Sequence, residues 1–207
     1  MPMLRPMHVL ASSLLLAVGL LAGQARAEPL PSPSGDFALK ARLRDNVMLD
    51  LWHAGDRMRV NISGPRLPAS VVGIVDMRRA KMVMLMPDIP NTAVETNIPA
   101  AYGIAVLSAE GERIGTGQVI GEPCTLWRIE YDKALGGSAT SCITSDGIAL
   151  KTDVLVKGKQ ETAYEVTRLV RGPQPAELFR LPSGTQLLKV PPGAAGFLPG
   201  LSGLRDR

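Results

Sequence analysis

The sequence predicts a mainly β protein built on one open, curved antiparallel sheet with little helix. From Phe37 onward, apolar and polar residues alternate with a period of two in many short stretches. Residues that favour turns separate these stretches at short intervals, which is typical of hairpins and meanders. Aromatic residues make up only 4% of the chain, so the core has to be built from Val, Ile, Leu and Met.

Residues 1–27 have the three parts of a secretory signal peptide. Arg5 supplies the positive start, and an uncharged apolar run follows from Val9 to Gly23. That run is shorter than the roughly 20 residues of a membrane-spanning helix. Ala25-Arg26-Ala27 fits the small-x-small cleavage rule. We therefore expect cleavage after Ala27, export to the periplasm and no transmembrane segment in the mature chain.

The mature chain is expected to form one domain. Residues 28–35 read as a Pro/Ser-rich spacer, extended and mobile, and residues 191–207 as a flexible Gly/Pro-rich tail. Residues 36–190 are then the β domain. The net charge of the whole chain is +4, and loss of Arg5 and Arg26 lowers it further. Such a mild charge does not favour nucleic acid as a partner.

The first half of the domain reads as a meander. Predicted strands lie at 47–51, 57–62, 71–77 and 82–86, with turns at 53–56 and 78–81 and a loop at 63–69. Prolines at 87, 90 and 99 break the pattern, so residues 87–109 are predicted to be irregular, as in a lid. The sheet resumes over 114–131 and continues at 140–145, 148–156 and 161–170. Residues 175–179 suggest a short helical turn.

The two cysteines are predicted to form a structural disulfide. Cys124 and Cys142 are far apart in sequence, whereas a redox pair usually has close spacing such as C-x-x-C. On paired strands, alternation allows both cysteines to lie on the more polar face while Trp127 and Ile143 lie on the buried face. Export to an oxidising compartment favours the bond.

No catalytic motif is found in the sequence. His53 is the one histidine outside the predicted signal peptide, and it falls at a predicted turn between Asp50 and Asp56, which favours an ordinary solvated position. No phosphate-binding or dinucleotide-binding glycine motif is present. We therefore expect neither enzyme activity nor a cofactor.

Methionines are concentrated in one predicted strand. Met82, Met84 and Met86 alternate and so share a face. Thioethers bind Cu(I), but no His or Cys lies nearby in sequence to complete a copper site, and methionine is also a flexible filler of apolar surfaces. The pattern favours an apolar face over a metal site.

Several short motifs, in their order, resemble the LolA/LolB-type outer-membrane lipoprotein carrier superfamily over roughly residues 45–185. They are Leu51-Trp52-x-x-Gly55-Asp56-Arg57-Met58-Arg59, Ile74-Val75-Asp76, Met84-Leu85-Met86-Pro87, Gly121-x-x-Cys124-x-x-Trp127, Cys142-x-Thr144-x-Asp146-Gly147-Ile148-x-Leu150 and Leu178-Phe179-x-Leu181-Pro182-x-Gly184. The resemblance implies a half-open barrel whose concave face is covered by short helices or loops. It also implies an apolar cavity, which holds lipoprotein acyl chains in the known carriers.

The leading hypothesis is a soluble periplasmic carrier that binds an acyl chain, a lipid or a lipoprotein. The residues expected to line its apolar face are Met58, Val60, Ile74, Met82, Met84, Met86, Trp127 and Ile129. The alternative is a non-enzymatic interaction or stress-sensing module of the envelope that binds a protein through a sheet edge. A methionine-rich Cu(I)-binding protein is the third hypothesis. The sequence does not predict an oligomeric state.

Overall fold

The fold is one open sheet of thirteen strands that does not close into a barrel. The computed structural model describes residues 27–67, 69–86, 89–97, 110–132, 137–156 and 158–189. The mainly β class and the single curved sheet predicted from the sequence are thus confirmed. Residues 1–26 of the predicted signal peptide, residues 98–109 of the predicted lid and the tail 191–207 lie outside the described residues.

The strands follow the sequence in two meanders. In chain order they are β1 (Glu28–Pro29), β2 (Phe37–Leu43), β3 (Met48–Ala54), β4 (Arg57–Ser63), β5 (Val71–Asp76), β6 (Lys81–Leu85), β7 (Thr92–Asn97), β8 (Glu110–Val119), β9 (Glu122–Asp132), β10 (Gly137–Ile143), β11 (Ala149–Val156), β12 (Lys159–Arg171) and β13 (Gln186–Lys189). Short 3-10 helices lie at Arg44–Asn46 and Ala176–Phe179, and the second is the helical turn predicted from the sequence.

The order of strands across the sheet is β1-β8-β9-β10-β11-β12-β2-β3-β4-β5-β6-β7-β13. Strands β2–β7 and β8–β12 each pair with their neighbours in sequence. The two meanders are joined where β12 pairs with β2, at Val166 opposite Ala41 and Leu169 opposite Leu39. The pairings are antiparallel except for the parallel pair of β13 and β7.

The main core lies on one face of this sheet and extends from β9 to β3. Its buried members are Phe37, Leu39, Ala41, Leu49, Cys124, Cys142, Ile148, Leu150 and Val166. Val60 and Ile62 pack against them and extend the apolar layer to β4. Among the described residues no second layer covers this face, and a flat sheet would leave it in water. Its burial therefore indicates that the sheet curls around it.

The segment predicted to be irregular contains a regular strand. The turn at Pro90-Asn91, with Asn91 at φ 55°, ends the interruption early. The next six residues, Thr92–Asn97, are rich in β-branched side chains and form β7 beside β6. The prediction was wrong for these residues. Pro87 and Pro90 interrupt a regular element that reaches them, but they do not prevent a new strand from beginning after them.

The N-terminal spacer is extended, as predicted, but it packs on the sheet instead of being free. Glu28 and Pro29 form β1 against β8, and Leu30 is buried. The amide of Ser34 donates a hydrogen bond to the carbonyl oxygen of Asp146 at 3.1 Å. Composition indicated a linker because the segment has almost no apolar residue apart from Leu30.

The predicted disulfide between Cys124 and Cys142 is present and joins β9 to β10, with the two Cα atoms 5.4 Å apart. The expectation that both cysteines lie on the more polar face was wrong. They are 7% and 4% exposed and belong to the main core. Trp127 and Ile143 are buried as expected, on the opposite face of the same strands. In this part of the sheet both faces of the strands are buried. Alternation within a single strand does not show whether one face is buried or both.

Candidate functional site

Four of the predicted ligand-binding residues come together on one sheet face. Strand register aligns Met58 with Val75 and Met82, and Val60 with Gly73 and Met84. Met58, Met82 and Met84 are only 3–6% exposed and form a cluster with Val75. Their own side chains therefore fill this face, in the manner of a core. A role for them in ligand binding stays a prediction.

The other four predicted residues are elsewhere. Ile74 lies on the opposite face, because its register partners are Arg59 and Val83. Met86 follows the end of β6 and is half-buried. Trp127 and Ile129 form a separate cluster with Leu30 and Ile143 at the far part of the sheet. The predicted set thus does not form one surface.

A cleft of about 240 Å³ lies on the Ile74 side of β5–β7, beneath the C-terminal segment. We define the C-terminal segment as residues 172–189. Its apolar walls come from Ile74 and Val83 on the sheet and from Phe179, Leu181 and Leu187 on the C-terminal segment. The charged residues around it are Arg57, Asp76, Arg79, Lys81 and Glu95. An adjoining recess of about 340 Å³ shares Arg57 and Asp76 and extends toward the β3–β4 turn.

Two arginines of β4 hold the C-terminal segment in place. Arg57 Nη1 donates a hydrogen bond to the carbonyl oxygen of Phe179 at 3.5 Å, and Arg59 Nη1 donates one to that of Leu178 at 3.0 Å. Phe179 itself is 6% exposed. Further along, the amide of Gln186 donates to Asn91 O at 2.7 Å and starts the pairing of β13 with β7. The roof of the cleft is therefore fixed at both ends.

The charged side chains around the cleft lack ion-pair partners among the described residues, although Asp76 Oδ1 accepts a hydrogen bond from the Arg79 amide at 3.0 Å. Among the residues that the structure describes, Arg57, Arg79 and Lys81 form no ion pair, and neither do Asp76 and Glu95. Lys81 Nζ instead donates a hydrogen bond to Asn97 Oδ1 at 2.6 Å. Three cations and two carboxylates give the cleft a slight positive excess, which suits an anionic group.

The described residues that line the cleft include no histidine, cysteine or serine. Within the described ranges, no three His, Cys, Asp or Glu side chains come together as a metal-binding group. His53 lies on β3 and does not line the cleft. Nor does any helix of the described part have the length and apolar character that crossing a membrane requires.

The predicted solvated position of His53 was wrong. The ring is 3% exposed, stacks on Phe37 with centroids 5.0 Å apart, and its Nδ1 lies 3.1 Å from the carbonyl oxygen of Gly35. The strand β3 continues through Ala54, so His53 points inward beside its register partner Met58. Burial lowers the pKa of His53, against the opposing effects of the Gly35 carbonyl and of the Asp36 and Asp56 carboxylates.

Stability is therefore expected to fall as the solution becomes acidic. A folded-state pKa below the unfolded value means that protonation favours unfolding, so His53 stabilises the fold fully above about pH 6.5 and progressively less below it. Urea unfolding of wild type and His53→Gln at about pH 7.5 and about pH 5.5 measures this effect. The variant should lose less stability between the two pH values. Equal losses in both proteins would contradict the assignment.

Sequence reasoning missed the charged residues of the cleft. Arg57 and Arg59 alternate on β4, a pattern typical of ordinary outward-facing residues. The available signal was the closing Leu178-Phe179 motif, whose backbone those arginines bind. The motif by itself does not indicate that these two stretches, more than a hundred residues apart, are in contact.

Comparisons with known proteins show similarity of structure only. No family model matches the sequence, and no curated protein matches it. An uncharacterised conserved protein from Thermus thermophilus is 12% identical with a TM-score of 0.56, over 76% of this chain and 91% of that one. This likeness shows the fold alone.

Two further solved structures are similar to this chain. The MucA/MucB complex of Pseudomonas aeruginosa matches at 16% identity and a TM-score of 0.48, over 76% of this chain and 62% of that one. A LolA superfamily protein from Nitrosomonas europaea matches at 9% identity and a TM-score of 0.37, over 73% of this chain and 93% of that one. A LolA superfamily protein is therefore among the solved structures that this chain is similar to.

Proposed function

We propose that this protein is a non-catalytic binding protein of the periplasm, exported by residues 1–27, whose cleft holds an apolar chain that ends in an anionic group. A fatty acid has this chemistry, and so does a lipid whose headgroup is anionic, whereas the esterified or amidated acyl chain of a lipoprotein would supply only the apolar part. The observation that carries the proposal is the cleft itself, in which apolar walls meet Arg57, Arg79 and Lys81. Pockets with mainly apolar walls and a few charged groups are typical ligand sites.

The dimensions of the cleft limit what it can hold. Its volume of about 240 Å³ is below the roughly 300–1,000 Å³ of pockets that enclose a complete small ligand. It therefore suits the end of a chain, with the remainder of the ligand outside. Of the residues predicted from the sequence to bind the ligand, Ile74 lines this cleft, and the methionine cluster supports the sheet from its other face.

Two neighbouring leucines provide a matched test. Leu187 and Leu188 are both exposed on β13, at 38% and 46%, and Leu187 lines the cleft. Adjacent strand residues point to opposite faces, so Leu188 serves as the control. Leu187→Glu should weaken binding of a fluorescent medium-chain fatty acid by about tenfold or more, because a carboxylate then occupies the apolar wall. Leu188→Glu should bind like wild type.

The readout is fluorescence titration, with native mass spectrometry of protein purified from the periplasm as a second measurement. A wild-type protein that is ligand-free on purification and does not bind the fatty acid would contradict the proposal. Equal weakening by both substitutions would place the binding site outside the cleft.

A further inference from the structure

The N-terminal strap, defined as Glu28–Ser34, lies on the sheet as an extended peptide ligand would. Glu28 and Pro29 pair antiparallel with Gly111 and Glu110 of β8. At its other end, the Ser34 amide donates to Asp146 O. Backbone pairing combined with one buried side chain is the usual way in which sheets bind extended peptides.

Leu30 provides that buried side chain. It is 7% exposed and packs with Trp127, Ile129 and Ile143, which form a cluster separate from the main core. We call the surface under the strap the strap groove, made of Gly111, Arg113, Trp127, Ile129, Ile143 and Gly147. Without Leu30 this apolar cluster would be open to water.

Two glycines give the strap groove its shape. A Cβ at Gly111 would lie 2.9 Å from Leu30 Cδ2 and 3.0 Å from Arg128 O. A Cβ at Gly147, where φ is 83°, would collide with the carbonyl group of Ser32. Larger residues at these two positions would push the strap away, so the groove is built for close approach of another backbone.

The strap groove also contains a cation that pairs with the strap. Arg113 Nε lies 2.7 Å from Glu28 Oε1, and the Arg113 guanidinium lies over the Trp127 ring at 5.0 Å. The Asp146 carbonyl that binds the Ser34 amide lies in a turn that Arg171 stabilises. Arg171 Nε donates a hydrogen bond to Asp146 Oδ2 at 2.7 Å. An acidic residue two positions before the anchoring leucine thus meets a positioned cation.

One polar atom of a residue in the strap groove has no partner among the described residues. Trp127 is 1% exposed, and its Nε1 has no hydrogen-bond partner among the residues described. Buried donors are normally paired, so this indole N–H is an exception among the polar groups of the fold.

We propose that the strap groove is a docking site for an extended segment of a partner protein, with a leucine between prolines and an acidic residue two positions earlier. The strap is then an internal competitor that holds the site until the partner replaces it. Because a tethered segment acts at an effective concentration of about millimolar, a free peptide should bind the wild-type chain only weakly.

The test uses the full mature chain and a labelled synthetic peptide with the strap sequence, EPLPSPS. Leu30→Ser removes the internal anchor, so fluorescence anisotropy should show at least about tenfold tighter peptide binding than to wild type. Adding Gly147→Ala to this variant should reverse the gain, because its Cβ occupies the position of the peptide carbonyl. A peptide carrying Leu30→Asp should not bind.

Melting curves and the intact disulfide establish that each variant is folded, and the milder Leu30→Ala replaces Leu30→Ser if the latter is not. In wild type, the Trp127 indole N–H resonance should shift as the peptide reaches about millimolar concentration. A folded Leu30 variant that does not bind the peptide would overturn the proposal. Equal binding of the unchanged peptide and of the peptide that carries Leu30→Asp would overturn it as well. A wild-type dimer lost in Leu30→Ser would instead assign the groove to the strap of a second copy.

Discussion

Leu150→Ala is expected to lower the free energy of unfolding by about 2–5 kcal/mol. Leu150 is 0% exposed and lies on β11 within the main core, which also contains Val166 and both cysteines. Truncation to Ala removes buried apolar contacts and leaves a cavity that the neighbouring strands can only partly close, because each is fixed by its own backbone pairings. Urea unfolding followed by far-UV circular dichroism measures the loss.

Leu155→Ala is the matched control, since Leu155 lies on the same strand but is 46% exposed. Its effect should stay within about 0.5 kcal/mol. Similar losses for the two variants would contradict the position of the core on the Leu150 face of β11.

Replacement of both cysteines by Ser should lower the free energy of unfolding by about 2–4 kcal/mol. Cys124 and Cys142 are 18 positions apart, and in the chain-entropy account their bond restricts the unfolded chain. The two new hydroxyl groups would also enter a buried apolar cluster, which adds to the loss. Urea unfolding of oxidised wild type, reduced wild type and the double variant separates the two contributions.

The double variant is the informative one, because a single substitution leaves a thiol that can pair between chains. Binding at the cleft should be unchanged in its folded fraction, because the cleft is formed by β4–β7 and the C-terminal segment and not by β9 and β10. A mass of the unreduced wild type about two hydrogens below the reduced form confirms the bond. Two free thiols in exported protein would contradict it.

Most of the fold could be predicted because it is made of local hairpins. Strands β3–β6 and β9–β12 alternate cleanly and are connected by turns, so period and turn chemistry locate them to within a few residues. The three pairings between residues distant in sequence, β1 with β8, β12 with β2 and β13 with β7, have no such signal. β13 was missed for this reason, since QLLK is short and has no buried residue.

The misassigned side chains have a common physical cause. Residue type and the polarity of sequence neighbours indicate solvated or polar positions for His53 and the two cysteines, yet each is buried by a strand or segment from elsewhere. The methionines of β6 were correctly expected on an apolar face, but whether such a face is core or cavity depends on what the curled sheet encloses. The cleft was not predictable, because three of its eleven lining residues, Phe179, Leu181 and Leu187, come from the C-terminal segment.

The parallel pairing of β13 with β7 also has a consequence for how the chain comes together. Gln186–Lys189 is made almost half a chain later than Thr92–Asn97, so β7 has one bare edge throughout synthesis of the second meander. Thr92, Ala93 and Val94 are buried in the finished fold, and an unpaired apolar edge is a template for pairing between chains. The last few described residues thus cover this edge in the finished fold, and Arg57 and Arg59 hold the segment that leads to them.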